Sequence, residues 1–137
     1  MTRAVSLDVS DLVGAPYGVR EWGPAFDCFT LVAEVYRRLG WDYILPLDLD
    51  AQVQEKREIL VAMVDRDRWT TVPRCALVGD IALIRGANEA NLGIARHCAV
   101  LVAPGMMLHA TEKLGVAMVP WRKVRPFTVK SVRAVEP

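Results

Sequence analysis

Apolar and polar positions alternate with two different periods along the chain. In DCFTLVAEVYRRLG, residues 27–40, the apolar residues Leu31, Val32, Val35, Tyr36 and Leu39 recur at the spacing of one face of an α-helix. Asp27 is a suitable N-cap and Gly40 a suitable stop, and Arg37 and Arg38 in the last turn complement the helix dipole. Residues 50–67, DAQVQEKREILVAMVDRD, repeat the helical period less fully, through Val53, Ile59, Leu60 and Met63. Residues 7–13 fit a helical turn or an extended arm, and GAPYGVREWGPAF reads as a loop punctuated by Gly and Pro. WTTVPRCALVGD reads as a loop or short strand ending in a Gly-Asp turn. Beyond it the period falls to two. DIALIR, HCAVLVA, MMLHAT, GVAMVPW and KSVRAVE are short, β-rich and separated by turn residues. Helices first and strands later predict an α+β fold, with N-terminal helices packed on a C-terminal antiparallel sheet in a single domain over residues 1–137.

Composition narrows the function classes. The chain has 137 residues, 53% of them hydrophobic and 24% charged, which suits a globular domain able to bury its own core. A net charge of +1 and a C-terminal basic stretch interleaved with Val, Pro and Phe argue for a solvated strand face rather than a nucleic-acid footprint. Cys28, Cys75 and Cys98 are odd in number and lack a C-x-x-C spacing, so no disulfide framework is expected. The N-terminus shows no signal-peptide core, and the longest apolar run, CAVLVAPGMML, is too short to span a bilayer. These features predict a protein made in a cytoplasm, without membrane insertion.

Three residues carry candidate chemistry. Cys28 falls on the first turn of the predicted helix, where backbone N–H groups lower a thiol pKa from about 8.5. His97 and His109, the two histidines of the chain, fall on strands either side of the APG turn. Alternation puts His97, Ala99 and Leu101 on one face, and Met107, His109 and Thr111 likewise, while Cys98 points the other way. A nucleophile, a base and an orienting group form the general arrangement for covalent catalysis. The cysteine alone is more often a packing residue; the combination with two histidines raises the catalytic reading.

GAPYGVREWGPAFDCFTLV, VGDIALI, RHCAVLV and MMLHAT, in this order over residues 14–39 and 79–118, resemble the NlpC/P60 cysteine peptidases, papain-like cell-wall hydrolases. The phage tail-associated branch, with the tail assembly protein K-like proteins, is the nearest in pattern; a bulky residue such as Phe29 often follows the Cys there. The resemblance implies Cys28 as nucleophile, His97 as general base and then acid, and His109 as the orienting third residue. It implies an oxyanion site at Tyr17 and the backbone N–H of Cys28. It implies hydrolysis of peptidoglycan stem peptides, at a D-glutamyl–diamino acid bond, with no metal or other cofactor. The chain departs from the family pattern at Thr30, where the family prefers Gly.

Trp22, in the loop, is a candidate for lining the cleft or for a staple over the helix. Trp41, Trp69 and Trp121 read as packing residues, and so do Cys75 and Cys98. A zinc site among the cysteines and histidines lacks any ligand-pair spacing. The expected partners are a peptidoglycan peptide and phage tail proteins, with residues 41–70 as the candidate contact and the virion tail as the route to the wall. Two alternatives remain at this stage. One is a structural tail-tip subunit with weak or no catalysis; the other is a papain-like amidase or acyltransferase acting on another substrate.

Overall fold

A computed structural model describes residues 5–18, 25–26, 28–40, 69–84 and 97–134. Among them, β1 (Trp69–Val72), β2 (Ile81–Ile84), β3 (His97–Ala103), β4 (Met106–Thr111), β5 (Gly115–Pro120) and β6 (Thr128–Ala134) form one antiparallel sheet, ordered β1-β6-β2-β3-β4-β5. Helix α1 (Cys28–Arg38) precedes the sheet. A four-residue helix, α2 (Trp121–Val124), and a single 3-10 turn, Arg125–Phe127, lie between β5 and β6.

The fold expected from the sequence is therefore corrected. The described chain is mostly β, a six-stranded sheet with two short helices, not an N-terminal helical region packed on a sheet. The reason lies in the N-terminal segment. Leu7 N–H donates to the carbonyl of Val102 on β3, and residues 9–13 close a single turn, with the Leu12 and Val13 N–H groups both reaching Val9 O. Gly14 and Ala15 then exchange hydrogen bonds with Val116 on β5. The backbone groups of this segment are satisfied by the sheet, and β5, an edge strand, is thereby covered. The second predicted helix and Trp41 lie outside the described residues, as do Asp27 and Trp22.

The sheet buries both faces. Leu31, Val32, Val35 and Tyr36 of α1 pack on one face against Leu83, Cys98, Val100, Val102, Leu108 and Val132. Full burial of each such aliphatic side chain stabilises by roughly 1.5–3 kcal/mol. On the opposite face Ala82, Ile84, Ala99, Leu101 and Met107 meet Val124 of α2, with Trp121 packed alongside. The alternation read from the sequence is thus realised: Cys98 belongs to the helix face, Ala99 and Leu101 to the other. Helix α1 ends where expected, with Gly40 at φ +78° and its N–H on the carbonyl of Arg37.

The Gly-Asp turn before β2 is a buried junction. Asp80 is fully buried, and its carboxylate takes two 2.8 Å hydrogen bonds from the Arg133 guanidinium. The Ala76 and Leu77 N–H groups also donate to it, each at 2.9 Å. The Tyr36 hydroxyl donates to the carbonyl of Gly79, tying α1 to the same turn. Tyr36 also stacks on Trp69, with centroids 6.0 Å apart.

Candidate active site

The two histidines come together across the β3–β4 hairpin. Val100 pairs with Leu108, so His109 sits one step further along β4, diagonal to His97 at the start of β3. His97 Nε2 lies 3.2 Å from His109 Nδ1, and the rings are tilted by 59° with centroids 5.4 Å apart. Pro104 and Gly105 make this possible. Gly105 takes φ +70° in the turn, which closes β3 on β4 in the register that matches the two rings.

Burial, and then the charge of His97, push the His109 pKa down to about 4. His109 is therefore neutral at neutral pH and carries one N–H. When His97 holds two protons, its Nε2–H needs an acceptor, and His109 Nδ1 supplies one if the His109 proton is on Nε2. That tautomer leaves Nδ1 of His97 as the atom free to take and release a proton.

Cys28 is the first residue of α1 and is buried, 4% exposed. The Cys98 thiol donates to the Cys28 carbonyl at 3.4 Å. Cys98 follows His97 on β3, so the start of α1 lies against the first residues of that strand. Cys28 belongs to the helix-face cluster, while His109 is on the other face with Met107. His97 connects the two sides. It lines one open cavity with Tyr17, Ala110 and the β4–β5 turn, and a second cavity of about 270 Å³ with His109, Thr111, Lys123, Val124 and Phe127.

Tyr17 reaches the site because its loop is paired twice. Phe26 N–H donates to the carbonyl of Pro16, and Gly18 N–H to that of Phe26, two residues before Cys28. Upstream, the loop is bonded to β5 through Gly14 and Ala15.

No protein-family model matches the chain, and no curated protein matches it.

Of the sequence-derived site residues, the structure pairs His97 with His109, puts Tyr17 in the cavity of His97, and sets Cys28 against β3. Trp22 lies outside the described residues, and so do residues 41–68 of the expected partner surface. Thr30, the departure from the family pattern, is buried. Cys75 is buried too, and desolvation pushes its thiol up to about 12, which keeps it protonated and unreactive. Among the described residues no group of three or more His, Cys, Asp or Glu side chains could hold a metal ion. Among them also, no helix is long and apolar enough to cross a membrane.

Sequence reasoning missed the segment that closes the histidine cavity. Lys123, Val124 and Phe127 wall it off, yet WRKVRPF carries only a short apolar spacing that no helical period reveals. The β4–β5 turn was read between MMLHAT and GVAMVPW, and Gly115 closes it at φ +68°.

Proposed function

We propose that the protein is a cysteine hydrolase of the NlpC/P60 type that cuts peptide amide bonds, with peptidoglycan stem peptides as the substrate. The observation that carries the reading is the 3.2 Å contact between His97 and His109, with the Cys28 carbonyl bonded to Cys98, the residue after His97 on β3. A neutral histidine holding the Nε2 proton of a second histidine is what a general base needs, and the neighbouring helix start carries the thiol.

In this reading His97 Nδ1 takes the proton of Cys28 Sγ, and the thiolate attacks the amide carbonyl carbon. The negative charge moves to the carbonyl oxygen, where the Cys28 backbone N–H at the helix start and the Tyr17 hydroxyl stabilise it. His97 returns the proton to the departing amine nitrogen, the C–N bond breaks, and a thioester remains on Cys28. Water, deprotonated by His97, then releases the carboxylic acid and restores the thiol. The motif order that resembles the phage tail-associated branch supports delivery in a virion tail to the cell wall.

The test is turnover of peptidoglycan stem peptides by the protein and two variants. His97→Ala is expected to lower kcat by about 10²–10⁴-fold, the usual worth of a general base. His109→Ala is expected to leave more activity, because it only orients His97. Both variants should keep the wild-type circular dichroism spectrum. Equal losses would remove the division of roles, and an inactive wild-type protein would favour a structural subunit.

A further inference from the structure

A second cleft lies between the β1–β6 ladder and the α2 segment. It has a volume of about 340 Å³ and is lined by Trp121, Arg125, Lys130 and the hydroxyl residues Thr71, Thr128 and Ser131. That size is in the range of small-molecule sites. No acidic side chain lines it among the described residues.

The cations here differ from the other arginines with described partners. Arg37 and Arg38 are held by Glu34 and Asp11, and Arg133 by Asp80. Among the described residues, neither Arg125 nor Lys130 has an ion-pair partner. Trp121 is held in place: its backbone N–H donates to the carbonyl of Gly105, and its side chain packs on the apolar cluster under α2 while staying partly exposed.

We propose that this cleft binds a sugar unit bearing an oxyanion, a phosphate or carboxylate, as found along an anionic glycan. An indole face suits the apolar C–H face of a pyranose, the exposed Thr71 hydroxyl can both donate to and accept from its hydroxyls, the Thr128 hydroxyl, which donates to the Val124 carbonyl, can accept from them, and Arg with Lys pairs the anion. The α2 segment stands between this cleft and the histidine cavity. Trp121 and Arg125 line the first, and Lys123, Val124 and Phe127 line the second. A polymer held at the cleft would thus present a neighbouring unit to His97. This names an anionic glycan as the carrier of the scissile peptide and rests on the hydrolase reading only for that link.

The binding is tested on the full wild-type chain without turnover, since the probes contain no amide. The Trp121 indole N–H signal in ¹H–¹⁵N spectra, assigned with Trp121→Phe, is followed during titration with glucose 6-phosphate, glucose and inorganic phosphate. The expected result is a saturable shift that is tightest for glucose 6-phosphate and weakened by added salt. The double variant Arg125→Gln/Lys130→Gln should bind at least about tenfold more weakly, with the rest of its spectrum unchanged. Phosphate binding as tightly as the sugar phosphate would overturn the sugar site. So would a titration unaffected by the double variant, or no saturable shift. A failure of peptide hydrolysis leaves this outcome untouched, so the two readings fail separately.

Discussion

At the scale of single residues, His109 couples the candidate chemistry to stability. Burial and the charge of His97 hold its pKa down at about 4, against an ordinary value of 6.5. The unfolded chain therefore binds a proton at this residue between about pH 6.5 and 4 that the folded chain does not. Stability is expected to rise with pH across that window and to fall as the pH drops through it. The effect is on the order of 1–2 kcal/mol, allowing for partial solvent contact of the ring. Urea unfolding midpoints at pH 4.5 and 7 should differ less in His109→Gln than in the wild type. An unchanged difference would show that His109 titrates as an exposed histidine does. That the two rings share a face was legible in the sequence, because of the period of two and the Pro-Gly turn; their diagonal register comes from the structure. The depressed pKa was not legible, because it comes from burial, and nothing in HCAVLVA or MMLHAT shows what packs around the His109 cavity.

At the scale of elements, the loop bearing Tyr17 depends on a glycine in another strand. Gly115 opens β5 at φ +68°, and a Cβ built there would lie 2.2 Å from the carbonyl oxygen of Ala15. That oxygen accepts the Val116 N–H, so the loop cannot retreat without losing the bond that pins it to the sheet edge. Gly115→Ala is expected to destabilise the protein by roughly 1–3 kcal/mol, from left-handed backbone strain and the clash together. It should also lower activity toward peptides more than its effect on the folded fraction explains, since Tyr17 moves with the loop. Chemical denaturation and kcat/KM on the same preparation check both; a variant with wild-type stability would contradict the close approach. Helix α1 shows the opposite case. Its apolar face, its basic last turn and its glycine stop were all readable, and the structure reproduces them. Residues 7–13 remained ambiguous because the segment is anchored at its two ends by distant strands, Leu7 to Val102 on β3 and the following Gly14 to Val116 on β5, with only one local turn between.

At the scale of the whole molecule, the sheet organises the chemistry. The weight of the fold rests on long-range strand pairing, and β6 returns from the C-terminal end to lie between β1 and β2. Local patterns identified the strands but not this order, so the described protein proved more β-rich than the succession of helices and strands implied. Asp80 illustrates the gap. The Gly-Asp turn was visible, but its buried ion pair joins it to Arg133 on the last strand. The same placement brings β3 under α1, so that the residue before Cys98 is a histidine and the residue touched by Cys98 is the candidate nucleophile. The central claim is that Cys28 and His97 act as a pair. Its most direct test is alkylation by iodoacetamide at pH 6–7, with the adduct mapped by mass spectrometry in the wild type and in His97→Ala. The account predicts that Cys28 reacts before Cys75 and Cys98, and that its rate falls when His97 is removed. Labelling that begins at Cys75 or Cys98, or a Cys28 rate indifferent to His97, would contradict it.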